Sequence, residues 1–184
     1  MSEGPPSFVA IDFETANRSP RSAVAVGLVR VDRGEVAAEV VEFIRPTTKR
    51  FENTSVHGIG PLDVIDADEF GEVWSRIGRW VDGARFIAAH NAEFDREVLM
   101  ACCEKAERPT PRLPFVCTMA LARAVWELRP TRLPDVCRRL GIPLQHHEPG
   151  SDALACARIV LAAWGTELGR RKVERMVGGR GRRA

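Results

Sequence analysis

Three β-rich stretches follow one another before the chain shows any helical periodicity, and that order limits the fold more than any other feature. Phe8 to Glu14 is an apolar strand whose last positions alternate with acids. Ala23 to Val31 and Val36 to Ile44 come next, separated by Asp32-Arg33-Gly34, whose composition favours a hairpin turn. Consecutive strands of this kind form an antiparallel meander. The pattern then changes. Phe70, Val73, Trp74, Ile77, Trp80 and Val81 recur at helical spacing behind Asp66 and Glu69, which resemble a capping box. Arg85 to Ala89 reads as a short buried strand, and Asn91 as the cap of a helix reaching about Glu107, closed off by the Pro-rich loop from Pro109 to Pro114. Phe115 to Cys117 is a brief strand, followed by helices over Ala120 to Leu128 and from Pro134 to about Leu140, where Gly141 and Pro143 stop the second. Leu154, Ala157, Leu161, Trp164 and Leu168 mark the last helix. The later strands enter through crossovers, so the expected fold is α/β: a mixed five-stranded sheet, meander plus crossover strands, flanked by helices.

A chain of 184 residues holds one such domain with a real core. Hydrophobic residues at 45% and charged residues at 28% exclude wholesale disorder and a collagen-like repeat. The longest apolar runs, such as Ala23 to Val29, fall far short of the ~20 residues of a membrane-spanning helix. The N-terminus has no basic start followed by an apolar stretch, so it does not read as a secretory signal. The expectation is a cytoplasmic protein with no membrane partner. Five cysteines, none in a C-x-x-C spacing, read as reduced core residues. The net charge of +2 hides an asymmetry, because residues 169–184 hold seven Arg or Lys and one Glu. This divides the chain into a domain over residues 1–168 and a basic, flexible tail over 169–184. Its arginines Arg170, Arg171, Arg180, Arg182 and Arg183 are either simply solvated or collect phosphates of a polyanion.

Three short segments carry chemistry. Asp12 and Glu14 lie two apart at the end of the first strand, so both carboxylates point to one face while Phe13 points into the core. Such a pair is either two exposed acids or a site that a hard divalent cation makes tolerable. In His90-Asn91-Ala92-Glu93-Phe94-Asp95, a strand gives way to a helix, the place where open α/β sheets collect ligands. Phe94 and Val98 are read as the core-facing i,i+4 pair. Asp95 then projects about 100° away, either as an ordinary surface residue or toward the sheet edge that carries Asp12. In the third segment His147 precedes Asp152 by five residues, and Asp152 opens the last helix, where the helix dipole favours its ionised form. A loop histidine there could take a proton from water near neutral pH, or His146 and His147 are a solvated pair.

Together these segments resemble the DEDDh-type 3′-to-5′ exonuclease family, that of RNase T and the DNA polymerase III epsilon subunit. Asp12 and Glu14 match its first motif, Asp95 its second, and His147 with Asp152 its third; the five-residue offset selects His147 over His146. Val56-His57-Gly58-Ile59, Cys117-Thr118-Met119 with Leu121-Ala122-Arg123, and Leu140-Gly141-Ile142-Pro143 also look like the family. The resemblance runs from about Phe8 to Trp164. One departure stands out: where many relatives carry Asn-His-Lys-Leu, this chain has Pro130-Thr131-Arg132-Leu133.

The resemblance implies a ribonuclease H-like fold and a two-metal-ion phosphodiester hydrolase. Asp12 would bridge two Mg²⁺ ions, with Mn²⁺ as a substitute, Glu14 and Asp152 would complete the site of the attacking water, and Asp95 would hold the second ion. His147 would be the general base. Phe13 through its backbone, Thr15, His57, His90 and Asn91 are the candidates to hold the terminal nucleotide, His57 and His90 having a plain alternative role in tying loops to the sheet. The implied partner is the 3′ end of single-stranded nucleic acid, DNA favoured, with release of nucleoside monophosphates. No polymerase-binding extension is evident after the last helix, so a free-standing nuclease is expected over a replicase subunit. The alternatives are an exoribonuclease that processes RNA 3′ ends and a non-catalytic module that binds nucleic acid or a polymerase.

Overall fold

The computed structural model describes residues 4–179. Its centre is a five-stranded sheet in the order β3-β2-β1-β4-β5, built from β1 (Phe8–Thr15), β2 (Ala23–Asp32), β3 (Glu35–Phe43), β4 (Ile87–Ala89) and β5 (Phe115–Cys117). The first three strands are the expected antiparallel meander, whereas β4 runs parallel to β1 and β5 parallel to β4. Asp32 pairs with Glu35 across the hairpin, and both intervening residues, Arg33 and Gly34, have positive φ (53° and 86°). That is a two-residue turn whose twist matches the strands.

Alternation along β1 explains the layers. Val9, Ile11 and Phe13 face one way, onto α2 (Phe70–Ile77) and α3 (Ala92–Lys105). Phe8 and Ala10 face the other way, onto α4 (Thr118–Trp126), α6 (Pro149–Trp164) and α7 (Glu167–Gly178). A strand covered on both faces reads as a continuous apolar run, as Phe8 to Ile11 does. A short α1 (Thr54–His57) and α5 (Leu133–Leu140) complete the helices. Among the described residues no helix is long and apolar enough to cross a membrane. All five cysteines are free, four of them buried.

Several local expectations are corrected. The periodic segment from Phe70 to Val81 is α-helical only to Ile77 and continues as a 3₁₀ turn over Gly78–Val81. Asp66 and Glu69 make no capping box: Glu69 is the N-cap residue, its side chain caps nothing, and it lies 3.5 Å from Arg45. Asn91 precedes α3 in a left-handed conformation (φ 58°) with no side-chain cap. The last helical segment is two helices, broken at Gly165 and restarted by Thr166, whose hydroxyl accepts the Gly169 N–H at 2.9 Å. Residues 169–178 therefore are not a flexible tail. They form most of α7, which buries Val173 and packs Met176 and Val177 on the same apolar cluster. Arg170 and Arg171 belong to that helix, whereas Arg180, Arg182 and Arg183 lie outside the described residues.

Candidate active site

The parallel register Ala10↔Ala88 carries His90 to the level of Asp12, so β1 and β4 end side by side. Open α/β sheets bind ligands beyond such carboxyl ends. A cavity of about 1070 Å³ opens there, and its walls include Asp12, Glu14, Asp152 and His147 together with Thr15, His57, His90 and Asn91. Phe13 meets it at the backbone only, because its ring is buried and packs near Phe70, with centroids 6.5 Å apart.

Asp12 and Glu14 sit on the β1 face covered by α6, and a glycine brings that helix close. Gly27, the β2 partner of Asp12, faces the first turn of α6 so tightly that a Cβ there would lie 2.1 Å from the Pro149 carbonyl oxygen. A glycine inside a strand is unfavourable unless another backbone must approach. Here the approaching backbone delivers Asp152. The start of α6 is held by Glu148, whose carboxylate accepts the N–H groups of Gly150 (3.3 Å) and Ser151 (2.5 Å).

Asp95 arrives from the opposite face of the sheet. Asp95, Val98, Leu99 and Cys102, at i, i+3, i+4 and i+7, form the buried stripe of α3. Expecting Phe94 to face the core was incorrect: its side chain is exposed and lines the cavity. Asp95 instead is 1% exposed and accepts the Phe13 N–H at 2.9 Å, which ties α3 to the end of β1.

The result is a crowd of acids in a place poor in water. Asp12 is held well above the ordinary carboxylate range, first by burial and then by the charges of Asp95, Asp152 and Glu14. Burial, then Asp152, pushes Glu14 up to about 7. Asp95 is pushed up to about 8 by burial, against the opposing pull of the Phe13 N–H. Asp152 is also raised by burial, in part offset by the His147 N–H and by His146. Asp12 Oδ2 and Asp152 Oδ1 are buried without a hydrogen-bond partner. Buried carboxylate oxygens without partners cost free energy unless a cation takes them, and an all-oxygen set suits a hard divalent ion.

The two adjacent histidines have different partners. His146 Nδ1 lies 2.9 Å from Asp152 Oδ2, which also accepts the His147 backbone N–H at 3.1 Å. His147 adopts φ 67° and directs its Nδ1 to 3.9 Å from Glu14 Oε1. The two rings stack at 3.8 Å. Burial and the neighbouring His146 depress the His147 pKa, so the ring is neutral at neutral pH. His57 and His90 fasten loops. The Ile59 N–H donates to His57 Nδ1 (3.1 Å), which leaves Nε2 to donate to the Thr15 carbonyl (3.1 Å). His90, kept neutral chiefly by burial, lies between the Thr118 hydroxyl (2.8 Å from Nδ1) and the Thr131 carbonyl (2.9 Å from Nε2). Both rings still border the cavity.

Sequence reasoning missed the rest of the wall. Arg18, Arg123, Arg129 and Arg132 line the same cavity, as do Val56, Phe94 and Met119. An apolar and a cationic lining beside carboxylates suits a polyanion whose bases need a stacking surface. The signals were the family-like stretches that contain Val56, Met119 and Arg123, to which no role was given, and the departure at Pro130 to Leu133, which forms part of this wall.

Comparison with known proteins bears on this arrangement. The RNase_T family model, described as Exonuclease, matches residues 9–160. The chain is 28% identical over 162 residues to the PolC-type DNA polymerase III of Thermotoga maritima, a match that covers 86% of this chain and 12% of the polymerase. The corresponding enzyme of Streptococcus thermophilus is also 28% identical, over 160 residues, with 84% of this chain and 11% of the polymerase covered. The chain thus spans only a small part of the curated relatives it matches. Among solved structures, Exonuclease X in complex with 5′ overhanging duplex DNA superposes with a TM-score of 0.69 at 22% identity, covering 93% of this chain and 98% of that one. The nuclease domain of 3′hExo, a DEDDh family member bound to rAMP, gives 0.74 at 17% identity over 89% and 94% of the two chains. The fold is the ribonuclease H-like exonuclease fold.

Proposed function

The chain belongs to the RNase T exonuclease family, of the DEDDh type, and on that premise we propose that it is a metal-dependent 3′-to-5′ exonuclease that removes nucleoside monophosphates from single-stranded 3′ ends. The observation that carries the reading is the meeting of Asp12, Glu14, Asp95 and Asp152 with His147, delivered by β1, α3, α6 and the loop before α6. No structural need explains four carboxyls gathered where burial raises every one of them. A non-catalytic binding module would have no use for that cost.

The donor set fits two hard cations, Mg²⁺ with Mn²⁺ as a substitute, because its oxygens include the partnerless Asp12 Oδ2 and Asp152 Oδ1. Asp12, Glu14, Asp95 and Asp152 would hold the ions, which would supply positive charge to the phosphate oxygens and acidify water. Neutral His147 takes the proton of the attacking water as its oxygen bonds to phosphorus. The bond from phosphorus to the 3′ oxygen breaks, that oxygen takes a proton from solvent water, and a nucleoside 5′-monophosphate is released. His57 and His90 hold the Thr15 and Thr131 segments in place, so that the terminal nucleotide meets a fixed wall with Asn91 and the exposed Phe94 on it.

DNA is the favoured substrate, because the curated relatives are DNA polymerases and Exonuclease X was solved with DNA. The 3′hExo nuclease domain bound to rAMP gives RNA 3′-end processing a specific claim as the second reading. Digestion of matched DNA and RNA oligomers with free and blocked 3′ ends, in Mg²⁺ and in EDTA, tests the proposal. Stepwise loss from free 3′ ends, abolished by EDTA and by Asp12→Ala or Asp152→Ala, is expected. Normal turnover in either variant, or cutting that ignores a blocked end, overturns it.

A further inference from the structure

The cavity has a second chemical half. Besides the carboxyls, Arg123 of α4 and Arg129 on the loop before α5 line it. Among the described residues neither has a carboxylate within salt-bridge distance. Arg132 differs, since Asp135 holds its Nε at 2.8 Å. The loop is fixed by Thr131, a residue 6% exposed. Its carbonyl lies 2.9 Å from His90 Nε2 and its hydroxyl accepts Arg123 Nε at 3.1 Å. One buried residue thus links the end of β4 to an arginine whose two terminal nitrogens stay free. A guanidinium held by one edge presents a planar fork that matches a phosphate.

A nucleic acid entering this cavity carries one negative charge per linkage into a site that already holds four acids. Cations on the carboxyls can serve the scissile phosphate, but the flanking phosphates need their own counter-charge. The terminal nucleotide of a free 3′ end is joined to its strand by the scissile phosphate alone. Every other phosphate within reach therefore lies on its 5′ side. We propose that Arg123 and Arg129 form a binding site for the phosphodiester immediately 5′ of the scissile one, with Thr131 as the residue that positions Arg123. The assignment of direction rests on the exonuclease reading above. The positioning residue Thr131 lies in the Pro130-Thr131-Arg132-Leu133 stretch, where this chain departs from the Asn-His-Lys-Leu of many relatives.

The test compares Arg123→Ala, Arg129→Ala and Thr131→Val with the unaltered protein, using single-stranded oligonucleotides that carry either normal linkages or one neutral methylphosphonate immediately 5′ of the scissile bond. KM should rise about 10-fold in each arginine variant with kcat within about twofold. The slope of log KM against log salt should fall by at most roughly 0.7 in all, as expected for loss of the one phosphate contact that the two arginines share on a single strand. On the neutral-linkage oligonucleotide the unaltered protein should show the same loss and the variants no further loss. Thr131→Val should mimic Arg123→Ala, and the double variant should be no worse than Arg123→Ala alone. Arg123→Lys and Arg129→Lys keep the charge and guard against a folding defect, while Arg85→Ala, at the far end of the sheet just before β4, should match the unaltered protein. A deficit that persists undiminished on the neutral linkage, or that falls on kcat with an unchanged salt slope, overturns the inference. Salt-dependent binding is followed in parallel by fluorescence anisotropy in EDTA. If the unaltered protein releases no nucleotide from any oligonucleotide while this arginine-dependent binding persists, the exonuclease reading falls and the anion site stands.

Discussion

Without cations the candidate site should destabilise the protein, and the pH dependence of that penalty can be worked from the carboxyls. Asp12, Glu14, Asp95 and Asp152 are all raised in the folded chain, which therefore holds protons that the unfolded chain has released. Such groups contribute their full stability below the ordinary carboxylate range. That contribution is lost as pH rises through the folded values, about 7 for Glu14 and about 8 for Asp95. Glu14 moves from 4.5 to about 7, which at ~1.4 kcal/mol per pH unit is about 3 kcal/mol; screening by water at the cavity mouth brings this to about 2–3 kcal/mol. For a domain of this size each kcal/mol moves Tm by roughly 2–4 °C, so Glu14 alone gives a fall of roughly 5–10 °C between pH 5 and pH 8.5. Thermal melts in EDTA across that range should show it. Mg²⁺ or Mn²⁺ at about 100 times its Kd should restore ~2.7 kcal/mol at pH 8.5 and little at pH 5, where protons hold the ligand oxygens. Glu14→Gln should flatten the EDTA profile and raise Tm at pH 8.5. A Tm in EDTA that stays level or climbs from pH 5 to 8.5, or a slope that survives Glu14→Gln unchanged, would refute the account of the acids as mutually repelling and cation-dependent.

Three further outcomes follow from the geometry. His147→Ala should lose on the order of 10²–10⁴ in rate with a much smaller change in substrate binding; an unaltered pH–rate profile would move the base elsewhere, to His146 first. His146→Ala removes the partner 2.9 Å from Asp152 Oδ2 that orients Oδ1, so Mn²⁺ affinity measured by calorimetry should fall about 10–100-fold, and an unchanged affinity would leave His146 without a positioning role. Gly27→Ala puts a Cβ 2.1 Å from the Pro149 carbonyl, which should cost about 1–3 kcal/mol in a denaturant melt and, by displacing Asp152, about 100-fold in rate. An alanine variant as active and stable as the parent would mean that the first turn of α6 has room to spare.

What the sequence revealed and what it hid divide along a physical line. The meander, its hairpin at Arg33-Gly34 and the shared face of Asp12 and Glu14 depend on period-two alternation and turn chemistry, which neighbouring residues determine. Errors arose where one residue's polarity was allowed to outweigh a pattern. Phe94 reads as core because it is the apolar i,i+4 partner of Val98, whereas the buried stripe is Asp95, Val98, Leu99 and Cys102, a full i, i+3, i+4, i+7 set with the acid as a member. The basic charge of residues 169–178 likewise masked Val173, Met176 and Val177 at i, i+3 and i+4, the stripe that docks α7. Gly27 beneath Pro149 and Thr131 between His90 and Arg123 gave no local signal, because each is defined by a segment more than 40 residues away or on another element. Local rules say that a helix buries apolar residues, and α3 buries an aspartate. The proposed cation site would be built by breaking such rules. The buried acid that looked least probable from its neighbours is therefore the one whose placement says most about what the fold is for.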